Sequence, residues 1–133
     1  MLPIPNAPTL TDDTVVYRAY SRKLDEDGRV QSQDFIQRDN ESTLSIALTP
    51  EEALDELDAR GYVPIRIGNI RAVHDGELRL GIVRKTDEPL SLEITGIARE
   101  TANGFAVSLA ARAGSPIERP DHRTRIRAER SRR

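Results

Sequence analysis

Seven arginines fall within the sixteen residues 118–133: Arg119, Arg123, Arg125, Arg127, Arg130, Arg132 and Arg133, against Glu118, Asp121 and Glu129. Guanidinium groups fork onto phosphates and carboxylates. Such a stretch can neutralise a nucleic-acid backbone in a salt-sensitive, sequence-independent way, or hold the acidic surface of a protein. It contains no aromatic residue for base stacking. The rest of the chain opposes nucleic acid, with 13 basic and 19 acidic residues giving −6 where residues 118–133 carry +4. The expectation is a disordered basic tail over 115–133, with another protein as its first partner, nucleic acid as the alternative, and folding back onto the acidic body also open. Arginine takes 18 of the 20 basic positions along the whole chain, so the preference for Arg over Lys says little about the tail itself.

Other chemistry is sparse. His74, Asp75 and Glu77 sit together in a polar turn, Arg71-Ala72-Val73-His74-Asp75-Gly76-Glu77. Neighbouring loop residues seldom hold a metal without ligands from elsewhere, so no metal site is expected. His122 lies in the tail. Asp25, Asp27 and Gly28 lack the closing ligands of a calcium loop and read as a turn. The chain has no cysteine, which removes disulfides, thiolate metal sites and cysteine nucleophiles. It also has no Gly-x-Ser-x-Gly, His-Glu-x-x-His, Walker or Gly-x-Gly-x-x-Gly motif. No apolar run approaches the roughly 20 residues of a membrane span, and the start lacks the basic and apolar stretches of a secretory signal. A cytoplasmic location is expected.

The elements that must position these residues can be read from their periodicity. Residues 1–13, with Pro3, Pro5 and Pro8, read as an extended arm. Thr14–Tyr20 is a β-branched, aromatic strand, with Val16, Arg18 and Tyr20 on one face. Phe35 and Ile36 are an apolar anchor within a loop. Ser42–Leu48 alternates as a strand and runs into Thr49-Pro50-Glu51-Glu52. There Thr49 caps, Pro50 suits the first helical position, and Glu52 completes a capping box. The helix is predicted over Pro50–Arg60, with Ala53, Leu54 and Leu57 buried and Gly61 as a left-handed cap. Strands are predicted over Tyr62–Ile67, Leu78–Arg84 and Leu90–Ile97, with a helical turn at Ile70–Val73. Pro64 suggests an edge position or a strand start. A second helix, Glu100–Ala113, carries Phe105 and Leu109 inward and is weakened at Gly104. The fold class is α+β: one small domain over 14–114, with a mixed or mostly antiparallel sheet and about two helices.

Arg18, Ser45 and Glu93 lie on three separate strand candidates, the last of them late in the chain, in the stretches V-Y-R-A, L-S-I-A-L-T-P-E-E-A and L-S-L-E-I-T-G-I. That order resembles the Arg–Ser–Glu pattern of ADP-ribosyltransferase-like domains. The resemblance implies an NAD-dependent enzyme or toxin-like domain. Arg18 would bind the NAD phosphates, Ser45 would sit beside the nicotinamide pocket, and Glu93 would stabilise the oxocarbenium ion; a forked cation and a carboxylate suit those tasks. Ser91 stands where that family carries an acid or glutamine. The same stretches, with I-R-I-G-N-I-R, are similar to short uncharacterised bacterial proteins, notably cyanobacterial ones, which implies a bacterial cytoplasmic protein and brings no assigned reaction. Three functions stay open. The first is a non-catalytic binding or adaptor module without cofactor, using a sheet edge or the tail. The others are the NAD enzyme and a structural subunit of an assembly.

Overall fold

The computed structural model describes residues 10–37, 43–55, 59–75, 78–85 and 88–119. Strands form where β-branched and aromatic residues alternate: β1 (Val15–Tyr20), β2 (Leu44–Ala47), β3 (Gly61–Arg66), β6 (Gly81–Lys85) and β7 (Glu88–Thr95). A two-residue strand, β8 (Ile117–Glu118), joins them. They form one six-stranded sheet in the order β6-β7-β2-β1-β3-β8, with every pairing antiparallel. A separate ribbon pairs β4 (His74–Asp75) with β5 (Leu78–Arg79). The molecule is an α+β domain.

One face of the sheet is the core face. Val16, Tyr20, Leu44, Ile46, Val63, Ile65, Leu92 and Ile94 are all buried on it. Against them pack α2 (Ile67–Arg71) through Ile67 and Ile70, α3 (Ala102–Arg112) through Phe105, Ala106 and Leu109, and a 3-10 turn, Ser32–Phe35, through Phe35. The predicted apolar anchor is therefore Phe35, with Ile36 partly buried beside it. The Asp-Gly turn forms around Gly28, whose φ of +76° suits a residue without Cβ. Asp25 accepts bonds from the amides of Asp27 and Arg29, both at 2.9 Å.

Several boundaries differ from those expected. The capped helix, α1, spans only Pro50–Ala53. The cap forms, with the Glu52 amide donating to Thr49 Oγ1 at 3.2 Å, yet Leu54 ends the helix. Leu54 is half-buried, and Leu57 lies outside the described residues. The chain must bring Arg60 to the sheet, where its amide donates to Tyr20 O at 2.8 Å and its carbonyl accepts from Arg119 at 2.7 Å. Those tertiary bonds override the local helical signal.

Gly61 is accordingly not a left-handed cap but the first residue of β3. A Cβ there would lie 2.1 Å from Ile117 O and 2.8 Å from the Tyr20 hydroxyl. The stretch Leu78–Arg84 divides into β5 and β6 around the buried Leu80. The chain turns back at Gly96 (φ +90°), whose missing side chain makes room for Arg79 O.

The body is also longer than 14–114. Leu10 packs against the core, and Asp12 and Asp13 pair with Arg71 and Arg66. At the other end β8 and the buried Arg119 belong to the sheet region. The other six arginines of the expected tail lie outside the described residues. No helix among the described residues is long and apolar enough to cross a membrane.

Two glycine substitutions should separate packing from propensity. Gly61→Ala forces β8 away and is expected to lower the unfolding free energy by about 1–3 kcal/mol. Gly104→Ala meets nothing within 4 Å and is expected to raise it by up to about 1 kcal/mol. Denaturant titration of both variants checks the pair. Alkaline pH probes the same corner. Burial, then the Glu118 carboxylate, raises the Tyr20 phenol above its ordinary value of 10.0, and Arg60 opposes them. The folded state thus holds the phenolic proton more tightly than the unfolded chain. The stability this confers is present below about pH 10 and is lost as pH rises through the shifted value. Tyr20→Phe should flatten that alkaline loss when unfolding is followed from about pH 8 to pH 11.

Candidate functional site

Arg18, Ser45 and Glu93 do not share one face. Tyr17 pairs with Ala47, so the two point the same way, and Ser45, two residues before Ala47, joins them on the outer face. Arg18 follows Tyr17 and points to the core side, between Val16 and Tyr20. Its Nε donates to Asp34 O at 3.0 Å and its NH1 to Ser45 O at 2.7 Å. These bonds tie the 3-10 turn to β1 and β2. Arg18 lines a groove of about 250 Å³ with Ser21, Arg22, Gln33 and Asp34. Asp34 is buried and takes the Ser21 amide on Oδ1 at 3.2 Å. Its Oδ2 is buried with no hydrogen-bond partner among the described residues.

Ser45 and Glu93, by contrast, are directly opposite each other across β2 and β7, and Val83 flanks Glu93 on β6. Ser45 Oγ accepts from Lys85 Nζ at 3.1 Å. This contact belongs to a second groove, of about 180 Å³, between the outer face and α1. Its floor is made of small residues, Ala19, Ser45 and Ala47. Glu52 and Asp55 stand on the α1 side, and Lys85 and Glu88 at the far end. Ser91 is buried in the floor and donates to Glu52 Oε1 at 3.0 Å. Tyr17 forms a wall, held edge-on by Tyr62 with ring centroids 5.5 Å apart.

The alternation of Leu90–Thr95 did not reveal this groove. Leu90 is exposed, whereas Ser91, on the opposite face of the strand, is buried beneath α1. Lys85, Glu52 and Tyr17 carried no motif. Among the described residues no group of three His, Cys, Asp or Glu side chains could hold a metal. His74 is exposed in the β4–β5 ribbon, and Glu77 and His122 lie outside the described residues.

The sheet edges differ as well. On the β3 side, β8 covers Gly61 and Tyr62. Beyond it Pro64 has no amide proton, and its carbonyl takes the Gly114 amide at 2.7 Å. On the other side β6 pairs only with β7 among the described residues. Ile82 packs on the core, while Val83 is 46% exposed on the outer face. The register shifts at Arg84/Lys85.

The site features thus define an α+β domain with one sheet edge shielded, the other without a further strand among the described residues, and a polar groove beneath a short helix. Comparison of the chain with protein-family models, curated proteins and solved structures finds no match.

The placement of Arg18 gives a direct test of the NAD arrangement. Arg18→Ala is expected to lower stability by about 1.5–3 kcal/mol, the worth of hydrogen bonds made by a charged group. Titration of the unaltered protein with NAD in a calorimeter is expected to give no heat. NAD binding that Arg18→Ala abolishes without loss of stability would reverse the assignment.

Proposed function

We propose that this domain is a non-catalytic binding module that takes up an extended segment of a protein partner along β6, and that it works in the bacterial cytoplasm. The observation that carries the reading is the edge of β6, which has no second partner strand among the described residues, beside the exposed Val83. An edge strand offers a row of backbone donors and acceptors to an added strand, and Val83 gives that strand one apolar contact. The irregularity at Arg84/Lys85 and the two cations work against pairing of two β6 edges with each other. The occupant is therefore a different chain. An extended segment with a β-branched or aromatic residue beside Val83 fits best.

Selection from a displayed library of short peptides should enrich such segments. Val83→Asp is expected to weaken the selected peptides at least tenfold, about 1.4 kcal/mol, as read by fluorescence anisotropy. Removing residues 120–133 should leave affinity unchanged. Peptides that bind equally well to the Val83→Asp protein, or binding that vanishes with residues 120–133, would refute the edge reading.

A further inference from the structure

The groove on the outer face carries Glu52 and Asp55 on the α1 side and Lys85 beside Glu88 at its far end, and two of these charges, Glu52 and Lys85, are pinned. At one end Glu52 is fixed by the buried Ser91, whose Oγ lies 3.0 Å from Oε1. Asp55 stands on the same side, and the Tyr17 ring walls the groove. Carboxylates beside an aromatic face suit an ammonium group. At the other end Lys85 is fixed by its 3.1 Å bond to Ser45 Oγ. An ammonium and a hydroxyl together suit a carboxylate.

The register sets the spacing. Ser91 is the cross-strand partner of Ala47, and Ser45 lies two residues before Ala47. Ser45 and Ser91 are therefore diagonal neighbours, about 7–8 Å apart. The two hydroxyls that pin Glu52 and Lys85 are thus separated by a span on the scale of a small molecule carrying both an amino nitrogen and a carboxylate. A single-charge ligand would supply a counter-charge to only one of the two pinned groups, Glu52 or Lys85. The small floor residues Ala19 and Ala47 leave the volume open, and about 180 Å³ is below the range of drug-sized pockets, roughly 300–1,000 Å³.

We infer that this groove binds a small zwitterion of the free α-amino acid type, with its ammonium at Glu52 and Asp55 against Tyr17 and its carboxylate at Lys85 and Ser45. The site lies on the outer face and does not depend on strand uptake at β6; free amino acids cannot act as an added strand, so the two ideas fail separately.

The test is a titration of the full chain, followed by amide NMR shifts, with L-alanine, propylamine and propionate at millimolar concentration. L-alanine is expected to give saturable shifts at Ser45, Lys85 and Ser91. Propylamine and propionate, which keep one charge each, should bind at least tenfold more weakly. Glu52→Gln keeps an acceptor for Ser91 and Lys85→Met keeps the stem of the side chain; each should weaken L-alanine at least tenfold. Saturable binding of propylamine as tight as that of L-alanine would make this a plain cation site and overturn the proposal. So would the absence of saturable shifts with L-alanine in the unaltered protein, a result that needs no variant to fold.

Discussion

Six consecutive residue pairs join β1 to β3, from Val15 opposite Arg66 to Tyr20 opposite Gly61, and this register decides the side on which each neighbouring residue lies. Val16 and Ile65, then Arg18 and Val63, then Tyr20 and Gly61 point to the core. Tyr17 with Pro64 and Ala19 with Tyr62 point outward. A shift by one residue would expose every buried member of both strands. The closing pair is the tightest. Gly61 has room for no side chain between Ile117 O and the Tyr20 hydroxyl, so β8 can lie against β3 only with glycine there. The following residue, Arg119, is then buried and takes Arg60 O through its amide.

The same register explains why an arginine sits on the core side of a strand. A guanidinium withdrawn from water needs its donors satisfied. Arg18 uses Nε and NH1 on the carbonyls of Asp34 and Ser45. Those carbonyls belong to a 3-10 turn and to β2, so the side chain joins three segments that are far apart in sequence. In this setting Arg18 acts as a positioning residue for the turn that delivers Phe35 to the core. Ser45 contributes its backbone to that inner contact and its hydroxyl to Lys85 on the outer face. One residue thus links the two sides of the sheet.

Much of the fold was legible in the sequence because it depends on short-range patterns. The alternation in Thr14–Tyr20 and Ser42–Leu48 gave β1 and β2, Thr49 gave its cap, Asp27-Gly28 gave the turn, and Phe105 and Leu109 gave α3. What escaped depends on contacts between distant segments. The strong cap at Thr49 implied a long helix, yet the Arg60–Tyr20 bond needs extended chain there. Gly61 looked like a cap because its crowding by Ile117 cannot be read locally. Ile117–Glu118 is too short to register as a strand, and it has edge bonds only because β3 offers them. Of the candidate site, Ser45 and Glu93 were each placed on a strand, but that their strands pair was not legible. The alternation put Arg18 on one face with Val16 and Tyr20, but that this is the core side, and that Ser91 is buried, were not legible, because each follows from what covers the sheet rather than from the strand's own pattern.

The shortness of α1 has a further consequence on the outer face. A helix of three turns beginning at Pro50 would carry side chains over far more of β2 and β1. A helix that ends at Ala53 leaves Ala19, Ser45 and Ala47 as a floor with Tyr17 beside it. The buried Ser91 then has a single role that keeps this space defined, because its hydroxyl on Glu52 holds the short helix to β7. Buried polar groups are tolerated when they are paired, and here the pairing fixes a carboxylate at the rim of a groove instead of filling the groove with apolar side chains. The bonds that end the helix early and the bond that pins its first turn therefore act together. They leave the outer face half covered, with its polar groups held in place.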